Sequence, residues 1–132
     1  MRILVVDDEQ PTRDFFLRVL TPPEFQVVTA SNGADAVELL KACPCSLAFV
    51  DIVMPGMDGL ETLKSLLKVQ PQLPVIMMTG YAVEDNVILA LHLGAIDVVY
   101  KPFEDDNHVL TAIQQFQKRQ QLKPLNEKDK PA

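Results

Sequence analysis

At 132 residues the chain has the length of one domain, and a hydrophobic share of 48% with no Trp fits a Val/Leu/Ile-rich α/β core better than a disordered or disulfide-stapled chain. A net charge of −6 and a pI near 4.8 argue against sequence-independent nucleic-acid binding by this segment, which would need a basic footprint. No apolar stretch approaches the roughly 18 residues of a membrane span, and the chain opens on a strand-like run without a signal-peptide pattern, so a cytosolic protein is expected.

Arg2-Ile3-Leu4-Val5-Val6 reads as a first buried strand, ending at Asp7-Asp8. Gln10-Pro11 can open a helix, since proline is tolerated in a first turn, and Phe15, Phe16, Val19 and Leu20 line its apolar stripe until Pro22-Pro23 ends it. Three consecutive apolar residues sweep most of a helix's circumference, so at least one of Phe15, Phe16 and Leu17 should be exposed. Phe25 to Thr29 reads as a second strand and Asn32-Gly33 as a turn, followed by a helix burying Ala36, Val37, Leu39 and Leu40. Cys43 and Cys45 flank Pro44, which matches neither a redox Cys-x-x-Cys nor a zinc knuckle, and they read as free thiols.

Ser46 to Val50 is the third strand, with Asp51 beyond it, and Met54 to Gly59 a loop. Leu60, Leu63, Leu66 and Leu67 give the third helix its inner face, and Pro71 and Pro74 bracket the turn into a fourth strand, Val75 to Met78. A fourth helix over Val83 to Leu93 closes on Gly94 as a C-cap. Asp97 to Tyr100 is the fifth strand, followed by Lys101-Pro102. A fifth helix begins near Asp106, whose charge suits a helix N-terminus, and buries Val109, Leu110, Ile113 and Phe116. The pattern assigns residues 1–119 to one domain and 120–132 to a polar tail or the start of a linker toward a further module. His92 and His108 read as surface or partly buried helix residues, not ligands.

Alternating strands and helices joined by short loops describe a doubly wound parallel sheet. In such a sheet the C-terminal strand ends share one edge, where ligand sites form. That edge gathers Asp7, Asp8 and Asp51, with Lys101 and the hydroxyl of Thr79. Two carboxylates about 4 Å apart repel by a few kcal/mol at an effective dielectric near 20, so the cluster needs a counter-charge. A hard divalent cation would supply it, and Mg²⁺, which favours one or two carboxylates together with water and phosphoryl oxygens, suits a site where phosphate arrives. Lys101 and Thr79 suit an oxyanion forming on an aspartate side chain.

These residues resemble the response-regulator receiver domains of two-component phosphorelay signalling, a CheY-like superfamily. Asp7-Asp8 is similar to the family's acidic pair and Asp51-Ile52-Val53-Met54-Pro55-Gly56-Met57-Asp58-Gly59 to its phosphoacceptor loop. Thr79-Gly80 is similar to its switch hydroxyl and Lys101-Pro102-Phe103 to its lysine motif, and together the likeness spans roughly residues 1–118. The resemblance implies a flavodoxin-like (βα)5 fold, five parallel strands in order 2-1-3-4-5 flanked by five helices. It implies that Asp51 is the phosphoacceptor, attacking the phosphorus of a phosphohistidine or a small phosphodonor. Asp8, Asp51 and the carbonyl of Val53 would hold Mg²⁺, with Asp7 acting largely through water on the metal. Lys101 would pair with phosphoryl oxygens, Thr79 would move toward the phosphorylated aspartate, and the Lys101-Pro102 bond is commonly cis in the family.

The partners implied are a sensor histidine kinase or phosphotransfer protein meeting the first helix, and a dimerisation or output face on the fourth helix, fifth strand and fifth helix. Such a module catalyses its own phosphorylation and turns over no separate substrate. One position departs from the family pattern: the usual aromatic residue three before the lysine is Val98, which cannot make a ring's inward swing, and Tyr100, one residue before Lys101, points to the opposite face of a strand and is no obvious substitute. Tyr81 occupies a position linked in the family to phosphate lifetime. The signal is then expected to pass through the loop after Thr79 and the fourth helix. A haloacid-dehalogenase-like phosphatase would need a second acid two residues after its nucleophile, where this chain has Val53. A phosphorylation-independent interaction module would not need the five polar site residues. A nucleotide-binding flavodoxin-like protein lacks support, since no Gly-rich phosphate loop follows the first strand.

Overall fold

The structure, a computed structural model, describes residues 1–80, 84–103 and 105–122. The element order is β1 (Arg2–Val6), α1 (Gln10–Val19), β2 (Gln26–Ala30), α2 (Gly33–Ala42), β3 (Leu47–Asp51), α3 (Gly59–Val69), β4 (Val75–Thr79), α4 (Glu84–His92), β5 (Asp97–Tyr100) and α5 (Asn107–Leu122). The five strands are parallel and lie in the order β2-β1-β3-β4-β5, the flavodoxin-like arrangement expected. The chain divides into two compact units, Met1–Pro102 with the whole sheet and a second from Phe103 onward with α5.

The inner strands β1, β3 and β4 are apolar on both sides, as parallel strands covered on both faces must be. Alternation along the strands turns Leu4, Val6, Ala48, Val50, Val75 and Met77 to one face, where they pack with Ala36 and Leu40 of α2, Leu63 and Leu66 of α3 and Ala90 of α4. On the other face Phe49 meets Phe16 of α1, ring centroids 4.9 Å apart. Burying a side chain of this size contributes roughly 1.5–3 kcal/mol, so the sheet edge carrying the polar residues rests on a well-anchored core. Among the described residues no helix is long and apolar enough to cross a membrane.

Several boundaries differ from the sequence expectation, for local reasons. β2 starts at Gln26 because the Phe25 amide turns back to the Thr21 carbonyl while Gln26 begins pairing with β1. Asn32-Gly33 is not a free turn: the Asn32 side chain accepts from the Asp35 amide and caps α2, of which Gly33 is the first residue. Asp58 does the same for α3 through the Glu61 amide. On α2, Ala36 and Leu40 are buried while Leu39 is exposed, because only one stripe of ten residues can face the sheet.

In α1, Phe16 is buried and Leu17 exposed, as three adjacent apolar residues require. α4 ends at His92, with Gly94 at φ 117 beyond it; Val83, the expected start, and Tyr81 lie outside the described residues. In the second unit α5 begins at Asn107 and runs to Leu122, beyond the expected end at Arg119. Asp105 bonds its start: Asp105 Oδ1 accepts the amides of Asn107 and His108 at 2.9 and 3.2 Å. Val109, Ile113 and Phe116 are buried along it, while Leu110 is half-buried.

Cys43 and Cys45 are free thiols, and burial pushes the Cys45 thiol up. Gln70, at the end of α3, grips the backbone of Cys45 from both sides: its Nε2 donates to the Cys45 carbonyl at 2.7 Å, and its Oε1 accepts the Cys45 amide at 3.1 Å.

Candidate functional site

The site lies in the first unit, at the C-terminal edge of the sheet. Asp7 immediately follows β1, and its amide continues the ladder by donating to the Ala30 carbonyl at 3.1 Å. Asp51 and Thr79 are themselves the last residues of β3 and β4, not residues beyond them, because the ladder runs on past the apolar stretch: Ile52 N–H donates to Met78 O and Lys101 N–H to Thr79 O, both at 2.9 Å. These backbone bonds fix where the site side chains leave the sheet.

One carboxylate oxygen from each of Asp7, Asp8 and Asp51 lies within 4.8 Å of the other two. Asp7 and Asp51 are buried, while Asp8 is exposed at the mouth. Into this cluster comes the ammonium of Lys101, 2.6 Å from Asp7 Oδ2 and 3.3 Å from both Asp51 Oδ2 and Glu9 Oε1. Asp7 Oδ1 accepts the Glu9 amide at 2.9 Å, and the Asp7 carbonyl accepts from Arg13 Nη1 at 2.7 Å. The other Asp51 oxygen, Oδ1, accepts the Val53 amide at 3.2 Å, which keeps that peptide beside the aspartate.

The Asp51 carboxyl is pushed up from 3.8 to about 6, first by burial and then by the charge of Asp7, with Lys101 and the Val53 amide holding it back. Burial alone would lower the Lys101 ammonium, but its hydrogen bond to Asp7 and the charges of Asp51 and Asp7 outweigh that and hold it above its ordinary value. Three clustered carboxylates facing one ammonium are short of positive charge. An oxygen-donor set that is buried on one side and open at Asp8 therefore fits a hard divalent cation that keeps part of its water, and does not fit a softer metal preferring nitrogen or sulfur.

The sequence reading brought Asp7, Asp8, Asp51 and Lys101 to one place, and the geometry joins them. Thr79 is buried at the end of the adjoining strand, in register with Tyr100 of β5. Val98 pairs with Met77 one step lower on the same face and packs against the core cluster. The Lys101-Pro102 bond is cis. The sequence reading missed Glu9 and Arg13. Glu9 touches a residue 92 positions away, which no local pattern reveals. Arg13, three residues after Gln10, had a weak signal as the first cation of α1 after the acidic pair.

Two glycines shape the loop after Asp51. Gly59 donates its amide to the Ile52 carbonyl at 2.9 Å, and a Cβ at this position would stand 2.0 Å from the Asp51 carbonyl oxygen. Only a glycine lets α3 start this close to β3. Gly56 has φ 75 with open space around it, so backbone conformation alone calls for glycine there.

Comparison with known proteins agrees with this geometry. The family model for the response regulator receiver domain matches residues 3–114. The chemotaxis protein CheY of Bacillus subtilis is 41% identical over 113 residues, covering 85% of this chain and 93% of that protein. The DNA-binding transcriptional regulator NtrC of Escherichia coli is 38% identical over 122 residues, 90% of this chain but 26% of that protein. The chain thus spans about a quarter of the length of the NtrC it matches. Among solved structures, a CheY-like response regulator receiver domain protein from Methanospirillum hungatei superposes with a TM-score of 0.83 at 30% identity, covering 91% of this chain and 95% of that one. The chain belongs to the response regulator receiver domain family and is a receiver domain of two-component signalling, whose family role is that of phosphoacceptor.

Proposed function

We propose that Asp51 is the residue this receiver phosphorylates and that the acidic cluster works with Mg²⁺. The observation that carries the proposal is the placement of Asp51: buried, held through both oxygens by the Val53 amide and Lys101, and within 4.8 Å of two further carboxylates. A nucleophile so held cannot turn away from an incoming phosphoryl group, and orientation of this kind contributes a large part of catalysis.

Asp8, Asp51 and the Val53 carbonyl are the groups assigned to Mg²⁺, with Asp7 supporting them. Bound there, Mg²⁺ supplies charge neutralisation for the phosphoryl oxygens. An Asp51 oxygen attacks phosphorus; the bond from phosphorus to the donor atom breaks and the donor leaves with that electron pair. From acetyl phosphate the products are aspartyl phosphate and acetate, and from a phosphohistidine the leaving ring nitrogen takes up a proton. Lys101 turns an N–H toward the charge collecting on the phosphoryl oxygens, and the Thr79 hydroxyl serves the product from the neighbouring strand end. The chain catalyses its own phosphorylation and turns over no second substrate.

A histidine kinase or phosphotransfer protein is the proposed donor, meeting α1, where Leu17 is exposed. The exposed Ile88, Leu89 and Leu91 of α4 and Tyr100 of β5 support a partner or dimerisation face on that side. The sequence beyond α5 is proposed to be a polar tail or the start of a linker, and the chain to work in the cytoplasm. The test is intact-mass spectrometry after incubation with Mg²⁺ and acetyl phosphate, beside Asp51→Asn and a chelated control. One phosphoryl adduct, absent from both controls, is expected; an adduct on Asp51→Asn would move the acceptor elsewhere.

A further inference from the structure

Glu9 has no part in the function proposed above, on which its assignment here rests. It stands at the N-cap of α1, where a shorter side chain such as Asp or Ser would bond a helix amide, and its own side chain makes no cap hydrogen bond. Its backbone is nonetheless fully engaged: the amide donates to Asp7 Oδ1 at 2.9 Å, and the carbonyl accepts from Thr12 and Arg13 at 3.2 and 3.3 Å. The carboxylate, 62% exposed, reaches inward to Lys101 Nζ at 3.3 Å. A solvated glutamate has no need of that contact, and helix capping does not explain it.

An ammonium has three N–H donors, and among the described residues Lys101 has three carboxylate partners: Asp7, Asp51 and Glu9. A phosphoryl oxygen arriving at Asp51 can bond Lys101 only if one of them yields. Asp7 is fully buried at 2.6 Å and would be left as an uncompensated charge. Asp51 is the acceptor itself. Glu9 alone of the three has bulk water ready to replace its hydrogen bond.

We propose that Glu9 is a positioning residue that occupies the third donor of Lys101 until a phosphoryl group displaces it, and whose charge at the pocket mouth disfavours the more highly charged phosphodonors. Glu9 thereby sets a preference among donors and acts through Lys101, without touching the reacting atoms.

Glu9→Gln keeps the length and one acceptor oxygen but removes the charge. The test follows labelling of the full chain by intact-mass time course at subsaturating donor, in Mg²⁺, with acetyl phosphate, a dianion near neutral pH, and phosphoramidate, a monoanion. Glu9→Gln is expected to label about fivefold faster than wild type with acetyl phosphate at low salt, and less than half as much faster with phosphoramidate. One screened charge a few ångströms away has an effect of this order. The gain should largely vanish in 1 M salt, where screening reaches about 3 Å. A loosened helix end or a distorted pocket would change both donors alike and ignore salt. Unchanged rates, or the same change with both donors, while wild type labels at Asp51, would overturn the role of Glu9 and leave the phosphoacceptor function standing. Failure of both proteins to label with either donor would overturn that function and the role of Glu9 with it.

Discussion

Lys101 and Asp7 are 94 residues apart in sequence and joined at 2.6 Å, the ammonium lying against a carboxylate with no exposed surface. Breaking a buried pair by removing one partner costs roughly 3–5 kcal/mol, because the remaining charge is stranded. Lys101→Met should therefore destabilise the metal-free protein by about 3 kcal/mol in urea unfolding with EDTA present. Mg²⁺ should restore more stability to the variant than it adds to wild type, since it answers the same need for positive charge. Equal gains in the two proteins would mean that cation and lysine do not share the cluster.

Asp51 presents the opposite balance. Its folded-state value of about 6 lies above the ordinary 3.8, so the folded protein holds this proton more tightly than the unfolded chain. Ionising Asp51 then costs stability: the cost is absent below about 4, grows as pH rises, and is complete above about 6. Asp51→Asn should be more stable than wild type by about 1–2 kcal/mol at pH 8 in EDTA, allowing for water at the pocket mouth, and by clearly less at pH 5. Chemical denaturation at the two pH values measures this, and a pH-independent difference would rule out ionisation as its source.

Gly59 and Gly56 should respond differently to a methyl group. Gly59→Ala puts Cβ 2.0 Å from the Asp51 carbonyl oxygen and 2.5 Å from Ile52 Cα, both backbone atoms that can yield only by moving the end of β3. A loss of about 3 kcal/mol and weaker Mg²⁺ binding are expected. Gly56→Ala meets nothing within 4 Å and bears only its positive φ, at about 1 kcal/mol. Thermal unfolding with Mg²⁺ titration separates the two; similar penalties with unchanged Mg²⁺ affinity would contradict the close approach at Gly59.

Val98, half-buried against the core cluster, stands where a ring would be needed for the family's usual inward swing, and Tyr100 lies in register with Thr79. Adding beryllofluoride and Mg²⁺ should shift the amide resonances of α4 and β5 more than those of α2. Shifts confined to residues 51–58 would show that occupancy of the pocket does not reach the Thr79 side.

The fold was largely legible because parallel strands in a small α/β domain are continuous apolar runs: β1 and β5 begin and end where the sequence places them. Boundaries failed where hydrogen bonding overrides polarity. Asp51 and Thr79 look like loop residues, yet they close β3 and β4, since a polar side chain at a sheet edge does not interrupt the backbone ladder. Asn32 and Asp58 carried a second signal as helix caps, which the turn-like Asn-Gly and Asp-Gly pairs obscured. The charged cluster was readable from strand ends alone. Glu9 was not, because its meaning depends on a side chain's reach across 92 residues, and neighbouring residues do not encode that.

The grip of Gln70 on Cys45 acquires its meaning from the far end of the same strand. β3 is fastened to α3 twice, by Gln70 on Cys45 before it starts and by Gly59 on Ile52 just after Asp51. A strand buckled at both ends to the helix that follows it is an anvil. A phosphoryl group placed on Asp51, as proposed, would sit at the end of a strand fastened to α3 on both sides of its length.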